Sequence, residues 1–254
     1  MNSGSVHIAA VVLTYNERER IGNCLTSLTW ADEMVVVDSG SEDGTAKLAV
    51  DLGAAVLKRD FVNFADQRNF ALENVEAAWV LFVDADEQVT PELATEIRDR
   101  VGTEGHVGYW LPRRNRILGG WLQATGWHPD RQLRLLRRGD ARYVDDRPVH
   151  ETVKLDGSAG IMKAELLHEG PPTVGEFRQK QRLYLSLAAE GLRLRGVRAG
   201  IHSPLVQAWR EFRRRLVTLK GYRDGWRGVV LSLLLAEHEF RVYRRLRATS
   251  SGPE

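Results

Sequence analysis

Trp79-Val80-Leu81-Phe82-Val83-Asp84-Ala85-Asp86-Glu87 is the stretch on which the reading of this chain turns. Five apolar residues, aromatic and β-branched apart from one leucine, stop abruptly at a cluster of carboxylates. A strand buried on both faces reads as a continuous apolar run of this kind, and parallel sheets are where such strands occur. Two carboxylates with one residue between them, directly after the strand, present oxygens suited to a hard divalent cation such as Mg²⁺ or Mn²⁺. Such a cation would neutralise a diphosphate that the acidic turn would otherwise repel. An isolated Asp-x-Asp triplet is more often a solvated turn. Its place directly after an apolar strand, at the same expected sheet edge as Asp38, is what gives this one weight.

Outward from there, towards the N-terminus, the same pattern repeats. The run His7 to Leu13 is short, apolar and β-rich, and ends at Thr14-Tyr15-Asn16-Glu17. Ile21, Leu25 and Leu28 then recur at helical spacing. Glu33 to Val37 reads as a second strand stopping at Asp38, ahead of the loop Ser39-Gly40-Ser41-Glu42-Asp43-Gly44. Helices are predicted from Thr45 to Leu52, with Gly53 as a stop, and from Asp66 to Ala77; Ala55 to Leu57 is a third strand. Thr90-Pro91 opens a further helix with proline in its first turn. Strands alternating with helices predict a mostly parallel sheet flanked by helices, and ligands of such sheets bind at the carboxyl ends of the strands. Here those ends carry Asn16 and Glu17, Asp38, and Asp84 with Asp86. Asp38 is placed either to accept the imide or ribose hydrogen bonds of a nucleotide or simply to cap its own turn. No G-x-G-x-x-G follows the first strand and no G-x-x-x-x-G-K-[ST] occurs, which argues against dinucleotide oxidoreductases and P-loop enzymes.

Towards the C-terminus, Gly108 to about His168 changes to short strands and turns rich in Arg, Trp and Gly. Arg113, Arg114, Arg116, Arg131 and Arg134 lie near Trp121 and Trp127 in sequence. Aromatic faces suit sugar rings and guanidinium groups suit phosphates or sugar acids, so Trp127, Arg131 and Arg134 are the candidates for an acceptor platform. After Pro171-Pro172 the chain reads as helices. Leu205, Trp209, Phe212, Leu216 and Leu219 form an amphipathic stripe, with Arg210, Arg213, Arg214 and Lys220 on or beside its polar flank. The expected division is 1–172 as the catalytic domain, a donor half to about 107 and an acceptor half from about 108, and 173–254 as a basic helical extension.

Over its 254 residues the chain carries 36 basic and 34 acidic side chains, and the near balance hides an asymmetry. Residues 1–177 hold 19 Lys/Arg against 28 Asp/Glu, whereas residues 178–247 hold 17 against 5. An acidic catalytic part is thus followed by a tail attracted to something anionic. Hydrophobic content of 43% excludes a mostly disordered chain. The lone Cys24, on a core-facing helix, excludes a disulfide framework and a Cys-rich zinc site. No apolar run approaches the ~18 residues of a membrane-spanning helix, and Met1 to Ser5 is not followed by a signal-like apolar stretch, so the chain is expected on the cytoplasmic side.

Three of these stretches together carry a resemblance: Val11-Val12-Leu13-Thr14-Tyr15-Asn16-Glu17, Val35-Val36-Val37-Asp38-Ser39-Gly40-Ser41-Glu42-Asp43-Gly44-Thr45 and Asp84-Ala85-Asp86-Glu87. The chain resembles family 2 inverting glycosyltransferases of the GT-A fold. Gln67-Arg68-Asn69-Phe70-Ala71-Leu72, Trp127-His128-Pro129-Asp130-Arg131-Gln132-Leu133-Arg134-Leu135, Arg147-Pro148-Val149-His150-Glu151 and Gly221-Tyr222-Arg223-Asp224-Gly225-Trp226-Arg227-Gly228 resemble the subgroup containing lipopolysaccharide-core β-1,4-glucosyltransferases. The resemblance implies an α/β GT-A fold and a metal-dependent inverting transfer of a hexose, glucose from UDP-glucose first, to a lipopolysaccharide-core, lipid-linked or other cell-envelope acceptor. It implies that Thr14, Tyr15, Asn16, Glu17 and Asp38 hold the nucleotide, with Arg68 near its base or diphosphate, Asp84 facing the ribose and Asp86 on the metal.

Inverting transfer also needs a base for the acceptor hydroxyl. Family members place a carboxylate after the donor half and, roughly twenty residues on, a histidine that completes the metal site. Glu151 followed by His168 fits that pattern best, and Asp130 followed by His150 competes with it. Two other classes remain as alternatives. A sugar nucleotidyltransferase would want a Gly-rich basic loop after the first strand, which Thr14-Tyr15-Asn16-Glu17 is not. A nucleic-acid-binding protein would use the basic tail, but no recognition module is legible and none is expected as a partner. The stripe and its arginines instead suggest an anionic membrane surface, the inner face of a bacterial cytoplasmic membrane.

Overall fold

The computed structural model describes residues 6–102, 105–144 and 152–250. The first hundred residues fold as the alternation predicts: β1 (Ile8–Thr14), α1 (Arg18–Thr26), β2 (Glu33–Asp38), α2 (Thr45–Asp51), β3 (Ala55–Lys58), α3 (Phe64–Asn74), β4 (Trp79–Asp84), β5 (Glu87–Val89) and α4 (Pro91–Arg100). Then follow β6 (Gly108–Ile117), β7 (Gly120–Trp121), β8 (Asp130–Arg137), β9 (Ala141–Val144), β10 (Thr152–Leu155), β11 (Ala159–Ile161) and β12 (Leu166–Glu169), before the helices α5 (Val174–Leu194), α6 (Ser203–Arg213) and α7 (Gly225–Ser250). The sheet runs β3-β2-β1-β4-β8-β6-β12-β5. Its first four strands are parallel, and β8 joins β4 antiparallel.

Successive residues of β1 point to opposite faces, and both faces are covered. Ile8, Ala10 and Val12 enter a core with Ile21, Cys24 and Leu25 of α1 and Leu93 and Ile97 of α4. Ala9 and Val11 enter a second core with Ala71 and Leu72 of α3 and Phe82 of β4. This double burial is the physical reason the strands read as unbroken apolar runs. The register also fixes the strand ends: Thr14 lies opposite Asp38, and Leu13 opposite Asp84.

The chain forms two compact units, and the division differs from the single cut expected at residue 172. One unit comprises residues 1–113 and 131–168, the other residues 114–130 and 169–254. The reason lies in the segment between β6 and β8. Its Ile117, Leu118 and Leu122 are buried in one cluster with Phe177 of α5 and Leu231, Leu234 and Leu235 of α7. An apolar hairpin with no core of its own needs those helices, so it belongs with them. The stripe from Leu205 to Leu219 is also not one helix. α6 ends at Arg213, a π turn covers Arg214–Thr218, and Lys220 turns the chain with φ of 53° into a short 3₁₀ turn, Gly221–Asp224. Leu205 and Trp209 are exposed, while Phe212, Leu216 and Leu219 are half-buried.

Candidate functional site

The acidic strand ends meet in the first unit. Asp38 is buried, and its carboxylate is fully occupied by its own neighbourhood. One oxygen accepts from the Thr14 hydroxyl at 3.1 Å and the Ser41 hydroxyl at 2.5 Å, the other from the amides of Gly40 and Ser41 at 3.1 and 2.9 Å. Asn16, with φ of 55°, donates its amide to Ser41 Oγ and accepts the Glu42 amide on its side chain, both within 2.9 Å. The Glu17 amide donates to Thr45 Oγ1 at 2.9 Å. Four of the five residues expected to hold a nucleotide are therefore already bonded within the fold, Thr14 to Asp38 and Asn16 and Glu17 to the segment after β2, lacing the loops after β1 and β2 into one edge. Tyr15 points outward, 62% exposed.

The turn after β4 is built on charges. Asp84 accepts from Arg134 Nη1 at 3.1 Å and Nη2 at 2.5 Å, with Arg68 Nη2 at 3.5 Å. Glu87 is wholly buried. It accepts the Asp84 amide at 3.0 Å and Arg113 Nη1 at 2.9 Å, and Arg134 Nη2 lies 4.0 Å away. Burial raises the Asp84 carboxyl, but the Arg134 and Arg68 charges outweigh it and hold the group at about 2. Burial and the neighbouring Asp84 push Glu87 the other way, above the ordinary carboxylate range. Burial lowers Arg68, and the charge of Arg134 lowers it further. Its guanidinium lies 5.2 Å from the Tyr143 ring centroid and 5.9 Å from that of Phe82. Arg134, expected on an acceptor platform, is instead a buried counter-charge to Asp84 and Glu87, because β8 pairs beside β4 and directs it inward.

Asp86 meets a histidine. β5 and β12 pair antiparallel with His168 opposite Glu87, and His168 Nε2 comes within 3.3 Å of Asp86 Oδ2. Among the described residues no third His, Cys, Asp or Glu completes a cluster around them. Two protein donors still suit Mg²⁺ or Mn²⁺, which take one or two carboxylates and fill the remaining positions with water and substrate phosphates. Cys24 lies under the same turn, its Sγ 3.5 Å from the Asp84 carbonyl, and burial with the nearby carboxylates pushes its thiol up. It stays a neutral thiol, in keeping with a structural role.

In the second unit, Asp130 accepts from Asn115 Nδ2 at 3.0 Å, and the same amide group donates to the Trp127 carbonyl at 2.9 Å. Trp127 packs partly against the apolar cluster of Ile117 and Leu122. Arg114 and Arg116 lie over the Trp121 ring, at 5.0 and 6.0 Å from its centroid. Arg131 is exposed. Glu151 and His150 lie outside the described residues. Sequence reasoning gave Glu87 and Asn115 no role, and it grouped Arg113 with the arginines near Trp121 and Trp127 rather than with Glu87. Glu87 stood in the quoted stretch, directly after the two aspartates, and that position was the available signal; Asn115, inside an Arg-rich run, gave none.

Comparison with known proteins gives the family. Residues 9–164 match the model of glycosyl transferase family 2. The lipopolysaccharide core biosynthesis glycosyltransferase LpsC of Rhizobium meliloti is 30% identical over 252 residues, 94% of this chain and 92% of that protein. A TPR repeat-containing protein of Synechococcus elongatus is 30% identical over 60% of this chain, which spans 37% of its length. Among solved structures, mannosyl-3-phosphoglycerate synthase from Rubrobacter xylanophilus is 17% identical over 75% of both chains with a TM-score of 0.48. Glucosyl-3-phosphoglycerate synthase from Mycobacterium tuberculosis, crystallised with Mn²⁺, UDP and glucosyl-3-phosphoglycerate, is 23% identical over 45% of each with a TM-score of 0.36. On the family model, which covers more than half of the chain, and on the R. meliloti relative, the chain is a member of glycosyl transferase family 2.

Proposed function

We propose that the protein transfers a hexose, glucose from UDP-glucose being the first donor to test, to a lipopolysaccharide-core or other lipid-linked envelope acceptor. The observation that carries the reading is the Asp86–His168 pair, 3.3 Å apart at the acidic sheet edge beside Asp84. These two side chains would hold a Mg²⁺ or Mn²⁺ ion, which when bound would offset the negative charge that develops on the departing diphosphate. Arg68, already buried among aromatic rings, keeps a fixed positive charge beside the same turn. The laced loops of Thr14, Asn16, Glu17 and Asp38 offer the nucleotide a rim that needs little reordering on binding, and exposed Tyr15 offers a stacking face. The core-biosynthesis name of the R. meliloti relative supports an envelope acceptor.

The acceptor hydroxyl must lose its proton as it attacks the anomeric carbon, and that base is Glu151 in the first reading and Asp130 in the second. The hydrogen bond from Asn115 favours keeping Asp130 in contention, since it holds that carboxylate in one orientation and as an acceptor. The deciding experiment follows release of nucleoside diphosphate from UDP-, GDP- and dTDP-sugars with Mn²⁺ or Mg²⁺ and core-truncated lipopolysaccharide. Glu151→Gln should lower transfer about 10²–10⁴-fold with donor binding preserved. Loss in Asp130→Asn with full transfer in Glu151→Gln moves the base to Asp130. No release from any nucleotide sugar overturns the reading.

A further inference from the structure

The segment Gly221–Gly228 carries a sequence signature that the chemistry above leaves without a task. Its Asp224 closes the 3₁₀ turn before α7 and reaches back to the loop after β7. The carboxylate accepts the Gln123 amide at 2.7 Å, the Ala124 amide at 3.2 Å and the Thr125 hydroxyl at 2.6 Å. The same residue, Thr125, gives its amide to the Leu219 carbonyl at 3.1 Å and receives Arg215 Nη1 on its own carbonyl at 2.8 Å. Every polar group of Thr125 is therefore held by residues of the C-terminal helical region.

That matters because Thr125 is β-branched and sits at φ of 58°, where such residues are rarely found and where the cost is on the order of 1–3 kcal/mol. A strained residue persists when its surroundings over-determine it, and here three hydrogen bonds of its own, two more on Gln123 and Ala124, and two glycines do so. A Cβ on Gly221 would stand 2.7 Å from the Arg215 carbonyl oxygen, and one on Gly228 would strike the Gly221 carbonyl. Both glycines let the 3₁₀ turn close on the loop. Immediately beyond the strained residue come Gly126 and Trp127, and Trp127 is tied through Asn115 to Asp130.

We propose that Asp224 is a positioning residue for glycosyl transfer: by clasping Gln123–Thr125 it sets the loop on which Trp127 and Asp130 are presented to the acceptor. The proposal rests on the reading of Trp127 and Asp130 as acceptor-side residues. It gives the C-terminal helices a part in the chemistry.

The test compares Asp224→Asn, Thr125→Val and Thr125→Ser with the unmodified protein, all as the full chain. The readouts are UDP binding with Mn²⁺, hydrolysis of UDP-glucose to water, and transfer to core-truncated lipopolysaccharide. Asp224→Asn and Thr125→Val should lower transfer by about 10²-fold, the scale of an ångström of misplacement, while UDP affinity and hydrolysis to water stay as they were. Thr125→Ser, which retains the hydroxyl, should lose far less. Combined with Asp130→Asn, the Asp224→Asn change should add no further loss, because both act on one loop. An active protein in which Asp224→Asn weakens UDP binding as much as transfer, or in which the double variant multiplies the two losses, overturns the positioning role. An unmodified protein that turns over no sugar nucleotide overturns the functional reading itself, and the positioning role with it.

Discussion

Asp84 and Asp86 are separated by one alanine, yet they answer to different partners. Asp84 faces two guanidinium groups and Asp86 faces an imidazole. The first is already neutralised within the fold, so the second is the one with charge to give to a cation. Asp86→Asn should therefore lower Mn²⁺ affinity in the presence of UDP more than His168→Ala does, and both more than Asp84→Asn; calorimetric titration of Mn²⁺ reads the order. The ionisation of Asp84 has a signature of its own. Its native pKa, about 2, lies below the ordinary aspartate value of ~3.9, so its charged form stabilises the folded state. That contribution is complete above about pH 4 and is lost as pH falls towards 2. Glu87, whose pKa is raised, contributes in the opposite sense, at low pH, and loses that contribution as pH rises. Urea unfolding should show Asp84→Asn less stable than the unmodified protein by about 1.5 kcal/mol at neutral pH, because buried Arg134 loses a charged, partly exposed partner. The gap should narrow below pH 4. A gap that does not change with pH would mean that the arginines do not hold this carboxylate ionised.

The elements themselves were legible wherever burial on two faces writes an apolar run. β1, β2 and β4 fall within a residue of their expected bounds, and Thr90-Pro91 opens α4 with the Thr90 hydroxyl accepting the Leu93 amide at 3.1 Å. α3 starts two residues before its expected beginning, since Asn63 accepts the Asp66 amide at 2.7 Å and takes the capping position. That cap sets the helix that carries Gln67 and Arg68 to the acidic edge. Replacing Asn63 with alanine should cost about 1 kcal/mol in thermal or urea unfolding and should weaken nucleotide binding through Arg68. The three-residue strand β5 and its pairing with β12 left no sequence signal, because long-range antiparallel register is set by packing rather than by local pattern. The spacing to His168 came from resemblance. The partnership of Arg134 with Asp84 was not legible for the same reason: an arginine in a basic stretch shows which way it faces only once its strand has neighbours.

At the scale of the whole molecule, the charge asymmetry finds a surface. α5 exposes Leu183 and Leu187, α6 exposes Leu205 and Trp209, and α7 exposes Trp226, Val229 and Leu233, each set at helical spacing. The residues between 178 and 247 are strongly basic, and Arg210, Arg213 and Lys220 are exposed. No helix among the described residues is long and apolar enough to cross a membrane. Apolar stripes bordered by arginines suit the interface of an anionic bilayer, where each basic residue near the surface contributes ~1 kcal/mol. The intact chain should co-sediment with phosphatidylglycerol-containing vesicles at low salt and release at high salt, and Leu205→Ser with Trp209→Ser should weaken this without unfolding the protein. Absence of sedimentation at low salt would leave the stripes without that partner. Removing everything after Pro172 is a poorer test, because it also strips Ile117, Leu118 and Leu122 of the helices that cover them.

That shared cluster has a consequence during synthesis. Leu122 is made about a hundred residues before Leu231, and at ~5–20 residues per second a ribosome needs roughly 5–20 s to cross that interval. The sheet can assemble in that time, since its strands and their helices are complete by Glu169. The hairpin of residues 117–122 cannot, and it must wait uncovered until α7 emerges. A nascent chain of this protein thus passes through a stage with a finished acidic sheet edge and an unfinished loop after β7. Ribosome-stalled chains halted near residue 200 should bind trigger-type chaperones through that hairpin, and let go once α7 has cleared the exit tunnel.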